Sequence, residues 1–307
     1  MKLNKSEQEL LQGISDLHQI EQGSFNIRKN GESVERRSSA DIEIVPKTKK
    51  PGIDIIIKPN VKNKSVHIPV IISKGGITDL VYNDFYVGEN SEVLIVAGCG
   101  IHNTSDQESQ HNGIHSFHIG KNSKVKYVEK HLGLGKETSG KILNPETKII
   151  LEENAVLEVE TAQLGGVTYS DRKTTAKLKA NSKLFIKENI LTTNNQVAKT
   201  KFIVELLEDG SRVEVKSRSV AKDLSFQEFV SNIKGKADCY GHVECDGIID
   251  GDAHIISTPQ ISALNKNSNL VHEAQVGKIA GEQLYKLMSL GLSQEEATNK
   301  IIAGYLK

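Results

Sequence analysis

The chain has 307 residues, 37% hydrophobic and 25% charged, with 39 basic against 39 acidic side chains. That composition excludes a disordered polymer and leaves no net basic field to attract nucleic acid. Tryptophan is absent and aromatics are only 5%, which argues against a carbohydrate groove paved with rings.

Taken from the start, Met1-Lys2-Leu3-Asn4-Lys5 leads into Glu7 and Glu9 rather than an apolar stretch, so no secretory signal is expected. No run approaches the roughly 18 apolar residues of a membrane span. Three cysteines, an odd number, suit a reducing cytoplasm, where thiols act as ligands or nucleophiles rather than as staples. Residues 5–20 carry apolar side chains at helical spacing: Leu10, Leu11, Ile14, Leu17 and Ile20. Residues 26–50 are polar and charged and end in Pro46 and the run Lys47-Thr48-Lys49-Lys50. They read as a solvated, partly extended arm.

From Ile53 the pattern turns to short strands, Ile53 to Ile57, Val66 to Ile72 and Val93 to Val96, and continues to about Glu273. One phrase recurs in this region. Asn90-Ser91-Glu92-Val93, Asn122-Ser123-Lys124-Val125, Asn154-Ala155-Val156-Leu157, Asn181-Ser182-Lys183-Leu184, Gly210-Ser211-Arg212-Val213 and Asn267-Ser268-Asn269-Leu270 share one plan. A corner residue tolerant of left-handed backbone is followed by a small residue and then by a strand. The starts are 32, 32, 27, 29 and 57 residues apart, the last about two steps. Stacked units of near-fixed period, none able to bury a face alone, predict a parallel β-solenoid.

After Glu273 the pattern becomes helical. Leu284, Leu287 and Met288 share a face of one short helix, and Gly291 sits where a C-terminal cap belongs. Ser293-Gln294-Glu295-Glu296 is a capping box opening a second helix with Ala297, Ile301, Ile302 and Tyr305 on its stripe. This hairpin suits a solenoid cap or a docking surface. The expected division is therefore a helix and polar arm in 1–50, a β-helix core in 51–276 and a helical segment in 277–307.

The densest polar cluster is Cys239-Tyr240-Gly241-His242-Val243-Glu244-Cys245-Asp246, followed by Asp250, Asp252, His254, His272 and Glu273. Thiolate, imidazole and carboxylate together suit iron or zinc. Strand parity puts Cys239 and Cys245 on one face with His242 on the other, so one chain offers an incomplete site. His272 and Glu273 fall on opposite faces of a regular strand. Packing of the cysteines as small hydrophobes is the alternative. A second cluster, Cys99, His102, His111, His115 and His118, reads as a polar ladder on the solvent side, with a metal site as the alternative. Gly135-Lys136-Glu137-Thr138-Ser139-Gly140-Lys141 imitates a phosphate loop, but Ile142 follows the lysine where Ser or Thr is required. No nucleotide is expected to bind this chain.

Several phrases resemble the SufB/SufD family of iron–sulfur cluster assembly proteins. They are Gly241-His242-Val243-Glu244-Cys245-Asp246, Leu270-Val271-His272-Glu273-Ala274-Gln275-Val276-Gly277-Lys278-Ile279, Glu282-Gln283-Leu284-Tyr285 and Leu287-Met288-Ser289-Leu290-Gly291-Leu292. Gly98-Cys99-Gly100-Ile101-His102-Asn103, Tyr127-Val128-Glu129-Lys130-His131 and Ser217-Arg218-Ser219-Val220-Ala221 add to them in the family's order. The resemblance, over roughly residues 50–307, implies a mainly β fold: a right-handed parallel β-helix with a short N-terminal helix and a C-terminal helical hairpin. It implies that Cys245, His272 and Glu273 hold a nascent iron–sulfur cluster, with Cys239 and His242 as further candidate metal ligands. The cysteine places the chain nearer SufB than SufD, in a compact, archaeal-like form acting as a homodimer. Implied partners are a SufC-like ABC-type ATPase docked at Leu284, Tyr285, Leu287, Met288, Ile301 and Ile302, a sulfur donor and apo-protein acceptors. The chain itself is then a scaffold rather than an enzyme, with sulfur carried as a persulfide on a Cys245 thiol whose pKa a neighbouring histidine lowers. A non-cluster-binding SufD-like subunit and a β-helical polysaccharide-active enzyme are the rival readings.

Overall fold

The computed structural model describes residues 3–15, 23–163 and 165–307. Helix α1 is Lys5–Ser15; Leu17 and Ile20, placed on the same helix by their spacing, lie outside the described residues. The strands are β1 Ser24–Lys29, β2 Glu32–Arg37, β3 Ile42–Pro46, β4 Gly52–Ile57, β5 Lys62–Ile72, β6 Thr78–Val87 and β7 Glu92–Asn103. They continue with β8 Ser109–Ile119, β9 Lys124–Gly135, β10 Lys141–Leu143, β11 Glu146–Leu151, β12 Val156–Gln163 and β13 Tyr169–Leu178. The last are β14 Lys183–Thr192, β15 Val197–Leu206, β16 Arg212–Asp223, β17 Phe226–Gly235, β18 Tyr240–Gly251, β19 His254–Ala263 and β20 Asn269–Gly277. Helices α2, Gly281–Ser289, and α3, Gln294–Tyr305, follow.

The strands build two sheets, A (β2-β1-β5-β7-β9-β12-β14-β16-β18-β20) and B (β19-β17-β15-β13-β10-β8-β6-β4-β3, with β11 beside β8 and β13). The chain alternates between them in about eight parallel coils, which is the predicted solenoid. Inward residues alternate with outward ones, and equivalent positions stack from coil to coil. Ile55, Phe85, Phe117, Ile149, Ala176, Val204 and Ile233 are successive lateral partners. Phe85 and Phe117 stack with centroids 4.4 Å apart.

The recurring phrase marks one corner. Asn90, Asn122, Asn154 and Asn181 have φ between 54° and 58°, a conformation their short polar side chains tolerate. Asn122 donates to Asn90 at 3.1 Å and Asn154 to Asn122 at 3.0 Å, an amide ladder along the edge. The small residue after each corner residue is buried: Ser91, Ser123, Ala155 and Ser182 after the asparagines, and Ser211 after Gly210. The coil hidden in the 57-residue gap turns at Asp238, whose carbonyl accepts from Gly210 N at 2.8 Å. There Cys239 takes the small residue's place.

Residues 26–50 differ from the expected arm. Phe25, Ile27, Ile42 and Ile44 are buried, an alternation of period two masked by the surrounding charges. Strand β2 pairs antiparallel with β1, and β3 antiparallel with β4, so both sheets end here in an antiparallel strand. The basic run is engaged too: Lys47 binds Asp54 and Asp84, and Lys50 lies 4.0 Å over the Tyr82 ring. Among the described residues no helix is long and apolar enough to cross a membrane.

Candidate functional site

The inward columns of sheet A end differently at the C-terminal coil. One runs Ile95, Tyr127, Val159, Ile186, Val215, Val243 and terminates in His272. The next runs Ala97, Glu129, Thr161, Glu188, Ser217, Cys245 and terminates in Ala274. Cys245 therefore stands near the end of a polar column, and His272 occupies an inward position on the neighbouring strand. Opposite, on sheet B, lie Arg172, Thr200, Phe229 and Ser257 in register.

That column is ionised along part of its length. Arg172 donates to Glu129 at 2.6 Å and lies 3.7 Å from Glu188, while His131 sits 3.5 Å from Glu129. Thr200 and Ser217 both donate to Glu188, at 3.1 and 3.0 Å. Burial by itself would raise the Glu129 pKa, but Arg172 and His131 hold it well below the usual carboxylate range. For Glu188 burial prevails over Arg172, Ser217 and Thr200, and its pKa is raised. Glu129, Arg172 and Glu188 were not singled out by sequence. The available signal was charge at the inward parity of strands that otherwise place apolar side chains there.

Cys245 is 3% exposed, and Ser257 Oγ lies 3.4 Å from its Sγ as a donor. Burial pushes the thiol up to about 11, against the Ser257 bond and helped by the charges of Glu188 and Asp246. The expectation of a histidine-lowered thiol is therefore reversed in this conformation. His272 is itself held below its ordinary pKa, by burial and then by His242, so it is a neutral imidazole that lends no positive charge. Its Nε2 is buried without a hydrogen-bond partner, the state of a ring nitrogen available to a metal. A bound metal or an opening of the coil would each favour the thiolate here.

The other candidate ligands separate from this pair. His242 and Glu273 face outward, with Nε2 and carboxylate 3.8 Å apart, beyond hydrogen-bond distance, so the His242 Nε2 is likewise buried without a partner. Cys239 is six residues from Cys245, about 20 Å along an extended strand. It packs in the corner column, its Sγ 3.6 Å from Ser268 Oγ. Among the described residues no three His, Cys, Asp or Glu side chains converge to hold a metal ion. A single chain thus supplies Cys245 and His272 on one inward face and leaves the coordination incomplete.

The second sequence cluster divides: His118 is exposed and stacks on Tyr86 of the neighbouring coil, as the solvent-side ladder predicts, but other members do not. His111 and His115 point inward and are buried. His111 Nδ1 is 3.0 Å from Asp79, which also pairs with Arg28 at 2.7 Å, and His115 Nδ1 is 2.8 Å from Tyr127 Oη. Cys99 is buried, and that burial, then Asp79 and Glu129, raises its pKa well above the ordinary value. His102 is half-buried. In the apparent phosphate loop, Lys141 is buried with its ammonium on the carbonyls of Lys136 and Ser139, at 2.7 and 3.0 Å, and a strand follows.

The C-terminal end of the solenoid leaves core-column apolar side chains exposed, whereas Ile42 and Ile44 at the N-terminal end are buried. Strands β19 and β20 have free edges. Ile261, the last member of the Ile55–Ile233 column, is 48% exposed, and Leu264 is 66% exposed. Beyond them α2 buries none of its residues; Tyr285 is 72% and the adjacent Leu290 75% exposed. Leu284, Leu287, Met288 and Ile301 are half-buried, whereas Ile302 is buried and withdrawn from any docking face. The Ser293–Glu296 capping box is present as predicted.

Residues 80–305 match the SUF system FeS cluster assembly, SufBD core domain. The chain belongs to the SufBD family of iron–sulfur cluster assembly proteins. A SufBD family protein of Pyrococcus horikoshii is 28% identical over 290 residues, covering 91% of this chain and 81% of that protein. One from Methanocaldococcus jannaschii is 27% identical over 256 residues, 82% and 79% of the two chains. SufB of Bacillus subtilis is 43% identical over 67 residues, 22% of this chain and 14% of that protein. SufBD membership sets aside the polysaccharide-active reading.

Proposed function

We propose that this SufBD protein is a scaffold on which a nascent iron–sulfur cluster is assembled between two copies of the chain. The observation that carries the reading is the placement of Cys245 and His272 on one inward face of an uncovered terminal coil. A second copy laid against the free edges of β19 and β20 brings another such pair and covers Ile261 and Leu264. Two thiolates and two imidazoles suit iron. Glu273 and His242, on the outer face, lie at the margin of this arrangement.

Sulfur enters by exchange. The Cys245 thiolate attacks the outer sulfur of a donor persulfide; the donor's S–S bond breaks, its thiolate leaves, and Cys245 carries the persulfide. The raised pKa makes this step depend on opening of the coil. We assign the opening to a SufC-like ABC-type ATPase received by α2 and α3, whose exposed Tyr285 and Leu290 offer apolar contact. This chain, with Lys141 buried, then contributes no nucleotide site of its own.

The test is anaerobic reconstitution of wild type and Cys245→Ala with ferrous iron and sulfide, followed by iron and labile-sulfide assay. Wild type should retain both and the variant should lose most of each. Undiminished cluster absorbance in the variant would reject the role of Cys245. An empty wild type would point to the SufD-like structural subunit. Deletion of 281–307 should abolish co-purification of the ATPase.

A further inference from the structure

The hairpin is tied to the solenoid at its extreme end. Arg218 Nη1 donates to the Tyr305 carbonyl at 3.0 Å, Asn189 Nδ2 to that of Leu306 at 3.0 Å, and Lys187 Nζ to that of Lys307 at 2.5 Å. The Tyr305 and Leu306 acceptors are end carbonyls of α3 and its cap, at the negative end of the helix, where a cation is favoured. The Arg218 guanidinium also lies 5.5 Å over the Tyr305 ring. Helix α2, by contrast, has no buried residue. A load applied to α2 reaches the solenoid both through the short link 278–280 to β20 and, by way of α3, through this terminal clasp.

The clasp closes on a particular register. Asn189, Arg218 and Asp246 are lateral partners on the outer faces of β14, β16 and β18. One residue earlier in each strand, Glu188, Ser217 and Cys245 are partners on the inner face. Arg218 is thus bonded to the hairpin outside, while Ser217, its neighbour in the chain, flanks Cys245 inside. Two donors at the clasp, Arg218 Nε and Tyr305 Oη, are buried without partners. They leave capacity for a changed set of bonds when the hairpin shifts.

We propose that Arg218 is a positioning residue that couples the C-terminal hairpin to the strand pair carrying Cys245, so that displacement of α2 changes access to that thiol. The proposal rests on the reading of Cys245 as the sulfur-bearing residue and α2 as the segment a partner moves. Asn189 and Lys187 hold the same helix end but sit one coil further from Cys245. Arg218 is the member of the clasp on β16, the strand adjacent to that of Cys245.

The experiment needs neither iron nor ATPase. Full-length wild type, Arg218→Lys, Arg218→Met and Tyr305→Ala are treated with iodoacetamide, and alkylation of Cys245, Cys99 and Cys239 is followed by peptide mass spectrometry. Deuterium exchange over residues 281–306 is measured alongside. In Arg218→Met the hairpin should exchange faster, and Cys245 should alkylate on the order of tenfold faster, as expected from losing one charge-assisted bond. Cys99 should not change. Arg218→Lys, which restores a single cationic donor, should return most of the protection. A loosened hairpin with an unchanged Cys245 rate overturns the coupling, as does a hairpin that stays protected in Arg218→Met. Should Arg218→Met not fold, Tyr305→Ala, which keeps the carbonyl but removes the ring beneath the Arg218 guanidinium, weakens the clasp from the helix side and is held to the same two outcomes. Because the readout is thiol access, failure here leaves the iron assay standing, and failure of the iron assay leaves this coupling standing.

Discussion

His272 lies opposite Val243 on the inward face of β20, one inward position from Ala274, the lateral partner of Cys245. The two candidate ligands are therefore diagonal neighbours on adjacent strands, while Glu273, next in sequence, faces out beside Glu244. A diagonal pair is within reach of long or aromatic side chains.

This geometry separates His272 from the other candidates. His272→Ala should remove most of the iron retained after anaerobic reconstitution. Cys239→Ser should retain wild-type iron and stability within about 1 kcal/mol, because serine already fills the equivalent corner in neighbouring coils. Iron-to-protein ratio and thermal unfolding check both. Equal iron loss in the two variants would put Cys239 back in the site.

The buried ion network should be costly to break from one side. Arg172 neutralises Glu129 and borders Glu188, all buried. Arg172→Met leaves two carboxylates without their cation, a loss of about 3–5 kcal/mol of stability. The double change with Glu129→Gln should recover part of it. Denaturant unfolding of the single and double variants measures the coupling.

Acid should unfold the protein earlier than its near-zero net charge suggests. Burial holds His115 down to about 4, against the pull of Glu129. The unfolded chain protonates this group near 6.5, so its contribution is fully present above that pH. It is lost as pH falls from 6.5 through 4, about 3 kcal/mol in all. Asp79, lowered to about 2 by His111 and Arg28 despite its burial, adds a loss between pH 3.8 and 2. The raised Glu188 works in the opposite sense, since its protonation relieves a strain present at neutral pH. Stability measured from pH 8 to 4 should fall in wild type and fall less in His115→Gln. An equal decline in both would place the titration elsewhere.

Some of this was legible in the sequence because it is local. Left-handed corners announce themselves as asparagine, and inward positions as period-two apolar residues, so the solenoid follows from both. The extra coil was counted in the 57-residue gap, but its corner at Asp238 was not located because Cys239 stands where serine stands in other coils. The interior charges escaped for a different reason. Arg172 and Glu129 are 43 residues apart, and only the coil-to-coil register makes them a pair. Parity correctly divided His272 from Glu273, but the shared face of His272 and Cys245 depends on how β20 aligns with β18.

The N-terminal helix gives a last check on how packing fixes the fold. Helix α1 lies over β5, β7 and β9 and buries Leu10, Leu11 and Ile14. It comes so close at Gly98 that an added Cβ would stand 2.6 Å from the Ile14 carbonyl oxygen and 2.9 Å from that of Lys130. Neither oxygen is the tip of a flexible side chain, so Gly98→Ala must displace α1 and the β9 backbone at Lys130, at about 1–3 kcal/mol. Cys99 faces inward beside it and keeps its contacts. Deuterium exchange should therefore speed up in residues 5–15 while β14 to β20 remain as protected as in wild type. Unchanged protection of α1 in Gly98→Ala would mean that the helix does not sit on this glycine in solution.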